Sequence, residues 1–200
     1  MIQTGENKTK DHMPDDTVTV LNGRVKLKQS AHGFRTSLDS IMLAAGVPPD
    51  MQGNILDLGC GVGGAGLSCL WRLPDCRLTG VDFVPEYIGL AHKNASINNV
   101  SERCRFVCDD IIHYTKSLEK PIFDCVICNP PFYDQGAYVH SPTPEKDMAL
   151  GQTRDIESWI KAVLYSLKNG GVFCLVHRAD MLDRILALLD KRFGATDIVP

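Results

Sequence analysis

The stretch ILDLGCGVGGAGL, residues 55 to 67, limits the fold more than any other part of the chain. A short apolar run passes into a segment with glycine at 59, 61, 63, 64 and 66, and a helical pattern follows. A strand that ends in a glycine turn and enters a helix opens a βαβ unit, because glycine lets the backbone turn tightly and approach a ligand. G-x-G alone is weak evidence. About 20 residues further on, after a second apolar run, stands Asp82. An acid at that place can accept both ribose hydroxyls of a nucleoside cofactor.

Strand and helix alternate from Asn54 onward. Apolar runs at 55–58, 78–81, 104–107, 123–127 and 172–176 are separated by helical segments at 65–71, 85–98 and 156–167, with another at 181–191. This alternation predicts a doubly wound α/β fold, a mostly parallel sheet with helices on both faces, over residues 50–200. The last residues, ATDIVP, look like a sixth strand. An open edge there leads us to expect one or more further strands beyond Pro200.

Residues 17–49 read differently. VTVLNGRVKLKQ alternates on both sides of Asn22-Gly23, a strong hairpin signal. Val18, Val20, Val25 and Leu27 are expected on its covered face, with Arg24, Lys26 and Lys28 facing out. SLDSIMLAAGV then has helical spacing at Leu38, Ile41, Met42 and Ala45 before Pro48-Pro49. Residues 1–16 are polar and mixed in charge, and read as a disordered leader without a signal-peptide core. No apolar run approaches the roughly 18 residues a membrane span needs, and a cytoplasmic setting is expected.

Eight cysteines raise the question of metal or disulfides. The C-x-x-C at Cys125 and Cys128 and the C-x-x-x-C at Cys104 and Cys108 lie inside apolar runs, not in turns, so buried thiols acting as small hydrophobes are expected and no metal. The net charge of −3 argues against wholesale coating of nucleic acid. A local basic run exists nevertheless: Arg24, Lys26, Lys28 and Arg35 lie in residues 17 to 38, which contain no acid.

The fourth apolar run ends abruptly in Asn129-Pro130-Pro131-Phe132. In a doubly wound sheet, ligands sit outside the carboxyl ends of the strands. The Asn129 amide oxygen and the Pro130 carbonyl would then be two aimed acceptors. That pair suits an exocyclic or amide NH2, whose lone pair is delocalised. Two hydrogen bonds hold it and favour the tetrahedral transition state. Phe132 offers a face for a stacked base.

The form DLGCGVG, with Asp57 at the first strand end, resembles motif I of class I S-adenosylmethionine methyltransferases, and NPPF resembles motif IV of those acting on amino groups. Together with NGRVKLKQSAHGFRTSLDSIMLAAGVP and LKNGGVFCLVHRADMLDRIL, they resemble the bacterial tRNA adenine-N6 methyltransferases that modify the base after the anticodon of a valine tRNA. The resemblance implies S-adenosylmethionine as cofactor, with Asp57, Gly59, Gly61, Asp82 and Asp109 or Asp110 as its binding positions. It implies Asn129, Pro130 and Phe132 at the substrate amine, and a wall from Phe34 to Asp39 near the cofactor, with Asp39 in contact. RNA would be the partner, with Arg24, Lys26, Lys28 and Arg35 on its phosphates. Protein-glutamine N5 methylation, another rRNA or DNA amino-group methylation, and a non-catalytic cofactor- or RNA-binding module are the alternatives. His140 and His177 are expected to be a loop and a strand-end histidine.

Overall fold

A computed structural model describes residues 16–30, 36–131 and 155–199. Phe34, Arg35, Phe132 and His140 lie outside the described residues.

A two-stranded antiparallel hairpin comes first, β1 (Asp16–Val20) and β2 (Val25–Gln29), with Val20 opposite Val25. Asn22-Gly23 is at the centre of its turn, where Leu21, Asn22 and Gly23 all have positive φ. Val25 and Leu27 are buried while Arg24 and Lys26 are exposed, as the alternation requires. Helix α1 (Leu38–Gly46) follows. Its presence matches the sequence reading but its face does not. Leu43, Ala44 and the following Val47 are buried, whereas Leu38 and Met42 are 72% and 49% exposed. What decides the inward stripe is the surface of α2, against which α1 packs.

Five parallel strands then form one sheet in the order β5-β4-β3-β6-β7: β3 (Gly53–Leu58), β4 (Cys76–Asp82), β5 (Cys104–Cys108), β6 (Phe123–Cys128) and β7 (Leu167–Leu175). Crossovers run from β3 outward to β4 and β5, and the chain then returns to the other side of β3 as β6. The switch point therefore lies between β3 and β6. Helices α2 (Gly64–Arg72) and α3 (Pro85–Ile97) cover one face with α1 and the hairpin. Helices α4 (Ile111–Lys116), α5 (Ile156–Ser166) and α6 (Leu182–Leu189) cover the other. On β3, Ile55 packs into the first layer and Leu56 and Leu58 into the second. This is why strands buried on both faces read as unbroken apolar runs.

Two expectations at the C-terminal side need correction. β7 begins at Leu167, earlier than the apolar run at 172–176, and takes in residues 168 to 171. Gly170 has φ +76° and the pairing register shifts between Phe123 and Cys125. Residues 195 to 199 are not a strand, and Ile198 and Val199 are exposed. An extended segment becomes a strand only where a neighbour supplies a hydrogen-bond ladder, and none of the described strands does so.

Of the four cysteines expected to be buried on strands, Cys125 and Cys128 are, whereas Cys104 is half-buried and Cys108 lies at the exposed end of β5. Cys60, Cys69 and Cys76 are buried as well. Burial pushes the Cys60, Cys69 and Cys128 thiols up, away from the reactive thiolate form. Among the described residues no three His, Cys, Asp or Glu side chains gather as a metal would require, and no helix is long and apolar enough to cross a membrane.

Candidate active site

The carboxyl ends of four neighbouring strands carry the polar residues singled out by the sequence. Asp57 is near the end of β3, Gly59 and Gly61 follow it, Asp82 ends β4, Asp109 follows β5 and Asn129 follows β6. Strand pairing brings them together. Leu58 is opposite Cys128, so Gly59 and Asn129 are the next residues on adjacent strands. Asp109 donates its N–H to the Asp82 carbonyl at 3.0 Å. Three strand spacings separate Asp109 from Asn129, about 14 Å. A nucleoside with an extended amino-acid chain has about that length.

The glycine loop is held by its own backbone and by the two acids. Gly59 and Cys60 both donate to the Val81 carbonyl, at 2.8 and 3.1 Å. Gly61 donates to Asp82 Oδ2 at 2.8 Å, and Val84 to Asp82 Oδ1 at 3.0 Å. Asp82 is buried, and a carboxylate has about four lone-pair sites, so capacity remains for a ligand hydroxyl. Asp57 Oδ2 accepts from Gly66 N at 3.0 Å. A Cβ on Gly66 would lie 2.6 Å from Leu78 and 3.0 Å from Asp57 Oδ2, so glycine is what lets α2 settle onto the sheet. Gly59 has φ +68°, and a Cβ there would meet the Trp159 ring at 2.6 Å. Both the backbone and the neighbour therefore require glycine.

Burial pushes Asp57 up to about 7, with the Asp82 charge adding to the rise and the Gly66 N–H opposing it. Burial also raises Asp82, against the Val84, Gly61 and Phe83 N–H groups. Folded Asp57 thus keeps its proton across a pH range in which the unfolded chain has lost it. Its contribution to stability is present near pH 4 and declines as pH rises to about 7. Replacing Asp57 by Asn should flatten that slope, changing the parent–variant difference by roughly 1–4 kcal/mol between pH 5 and 8. Denaturant melts across that range would measure it, and identical slopes in the two proteins would contradict the assignment.

At the third station the two acids differ. Asp110 is the N-cap of α4, with Oδ1 accepting from Ile112 N and His113 N, both at 3.0 Å. The Asp109 carboxylate accepts from Asp110 N at 2.7 Å and lies 2.8 Å from His113 Nδ1. At the fourth station, Asn129 Oδ1 is buried and has no hydrogen-bond partner among the described residues. Pro130 beside it is buried.

Asp39 is in the first turn of α1 and accepts from Ser37 Oγ at 3.2 Å. Thr36, in the expected wall, stands against the start of α2: a Cβ on Gly64 would meet its Oγ1 at 2.6 Å. Arg24 is set over the Trp71 ring at 5.0 Å, near the end of α2 remote from the glycine loop. Lys26 is exposed and Lys28 half-buried. His177 follows β7, and its Nδ1 accepts from Arg178 N at 2.9 Å, as suits a strand-end histidine.

Three further residues at the site matter: Thr36, inside the expected wall but not named in it, and Trp159 and Asn94, not singled out by sequence. Trp159 of α5 packs on Gly59, and Thr36 packs on Gly64. Asn94 of α3 is fully buried and donates to the carbonyls of both Lys28 and Val62, at 2.9 Å each. It fastens the hairpin to the glycine loop. Its one sequence signal is an amide on the inward face of an otherwise apolar helix stripe.

Comparison with known proteins bears on the fold and family. The methyltransferase small domain model matches residues 35–200. A release factor glutamine methyltransferase of Chlorobaculum tepidum is 27% identical over 167 residues, 79% of this chain and 56% of that protein. A tRNA1(Val) (adenine(37)-N6)-methyltransferase of Porphyromonas gingivalis is 29% identical over 168 residues, 80% of this chain and 64% of that protein. The chain thus spans less than two thirds of these relatives. Among solved structures, an Agrobacterium tumefaciens protein described as a predicted O-methyltransferase superposes with TM-score 0.60 at 25% identity, covering 78% of this chain and 69% of that one. A SAM-dependent methyltransferase of the same organism gives TM-score 0.66 at 16% identity, over 91% and 60%, which bears on the fold alone. The class the fold defines is the Rossmann-like methyltransferases. The chain belongs to the methyltransferase small domain family.

Proposed function

We propose that this protein transfers the methyl group of S-adenosylmethionine to an exocyclic adenine amino group, N6, in RNA, with a tRNA base next to the anticodon as substrate. The observation that carries the reading is Asn129 Oδ1, a buried acceptor without a partner among the described residues, beside the glycine loop. A buried acceptor left unpaired is costly in a folded protein, so it marks a place where a ligand donor belongs.

The residues present fit the cofactor in the order of its parts. Asp109, whose neighbour Asp110 is committed to capping, would accept from the adenine amine, and Asp82 from the ribose hydroxyls. Asp57 would face the cationic amino-acid end, where a positive charge favours its ionised form. S-adenosylmethionine supplies an electrophilic methyl on sulfonium. Asn129 Oδ1 and the Pro130 carbonyl would hold the substrate NH2 so that its lone pair faces that methyl. In such a complex the sulfonium would give its methyl to the amine nitrogen and be left as the neutral thioether, and the amine proton would pass to solvent. Phe132 would stack the base.

The relative from Porphyromonas gingivalis supports adenine as target. The Chlorobaculum tepidum relative supports a second reading, an amide of a protein glutamine, because its NH2 presents the same two donors. Labelled S-adenosylmethionine offered with separate tRNA, rRNA, DNA and protein fractions decides between them. N6-methyladenine in digested tRNA is expected, and label in protein alone would overturn the RNA reading.

Lys26 and Lys28 share the outward face of β2 and would bind phosphate. Arg24 is engaged with Trp71 but remains exposed. Replacing Arg24, Lys26 and Lys28 with alanine should weaken tRNA binding and flatten its salt dependence by about 0.7–0.9 for each phosphate no longer neutralised, with cofactor affinity unchanged. Equal tRNA modification by this variant and the parent would remove the hairpin from the RNA face.

A further inference from the structure

Asn129 Oδ1 is not the one orphan near the switch point. Trp159 Nε1 is also buried with no hydrogen-bond partner among the described residues. Trp159 is in the first turn of α5, 7% exposed, and the far edge of its six-membered ring lies against Gly59. A Cβ on Gly59 would sit 2.6 Å from Cη2 and 3.2 Å from Cζ3. Asn129 is the neighbouring residue on the adjacent strand. The ring thus lies against the loop residue that neighbours Asn129 across the β3–β6 pair. A phenylalanine would fill the apolar part of this space without burying an unpaired N–H, and a buried indole N–H ordinarily finds an acceptor.

The glycine loop itself has few donors left. The N–H groups of Gly59 and Cys60 go to Val81, that of Gly61 to Asp82 and that of Gly63 to the Cys60 carbonyl. Asp57 and Asp82 offer acceptors. Those four N–H groups are taken, and the indole N–H is unspent. We propose that Trp159 is a cofactor-binding residue whose Nε1–H donates to the carboxylate of the cofactor's amino-acid end. This rests on the cofactor assignment above.

The test uses Trp159→Phe and two probes: S-adenosylhomocysteine, which carries the carboxylate, and 5′-methylthioadenosine, which lacks it. Calorimetry should show S-adenosylhomocysteine bound about tenfold more weakly by the variant, the scale of one hydrogen bond to a charged group. Binding of 5′-methylthioadenosine should be unchanged. The unliganded variant should melt at or above the parent temperature, since an unpaired buried donor has been removed. Trp159 and Trp71 are the two tryptophans of the chain. In a Trp71→Phe background, S-adenosylhomocysteine should therefore change the remaining emission, and 5′-methylthioadenosine should change it less. Equal loss of affinity for both probes would show that the ring acts by packing and would overturn the proposal. So would unchanged S-adenosylhomocysteine affinity with a raised KM for the methyl acceptor, which would move the donor to the substrate. A parent that binds neither probe would overturn the cofactor assignment itself, a result distinct from all of these.

Discussion

Asn129→Ala is expected to reduce turnover about 100-fold or more while leaving S-adenosylmethionine affinity nearly intact. The amide oxygen is buried without a partner among the described residues, so its removal orphans no described donor. The missing interaction is one that strengthens as the target nitrogen becomes tetrahedral and more acidic. The loss should therefore appear in the rate of the methyl-transfer step. Single-turnover measurements with saturating cofactor, paired with calorimetry, separate the two effects. Near-normal turnover would end the proposed role of Asn129, and a large fall in cofactor affinity would place it in the cofactor site instead.

Asp82→Ala should act on both cofactor and fold. The sequence alone assigns Asp82 to ribose, and loss of its charged hydrogen bonds should weaken S-adenosylmethionine binding by about 1–3 kcal/mol. The structure adds a second consequence. Asp82 is also the acceptor for Gly61 N and Val84 N, so alanine orphans two backbone donors, one in the glycine loop and one at the start of α3. The melting temperature should fall with the affinity. Asp82→Asn keeps one oxygen and should retain part of each. Calorimetry and thermal melts on the two variants check this, and a folded alanine variant with parental affinity would remove Asp82 from the site.

The parts legible in the sequence are those set by local pattern. The glycine loop, the five strands and the hairpin centre follow from periodicity and turn chemistry over a few residues each. The acids and Asn129 could be placed because the strand ends could be placed. The errors arise where a distant surface decides. The inward face of α1 depends on α2, and residues 195 to 199 lack the neighbour that would make them a strand. Trp159 is 100 residues from Gly59 along the chain, so nothing near either one announces that they touch. Asp110 is an instructive case. An acid opening a helix is readable as a cap, but the six-residue helix it starts is too short to show its period.

The two amides on α3 have a consequence for how the molecule meets its own kind. Asn94 and Asn98, one helical turn apart, each accept an N–H and donate to a C=O on β2: Asn94 at Lys28, at 2.7 and 2.9 Å, and Asn98 at Lys26, with its acceptor bond at 2.9 Å and its donor bond at 2.6 Å. These are the backbone groups that β2 would otherwise extend to an incoming strand. A helix satisfies them with side chains spaced like a ladder, one rung for every second residue. That side of the hairpin is therefore closed to edge-to-edge aggregation and strand exchange, with neither a proline nor a bulge on β2 to close it.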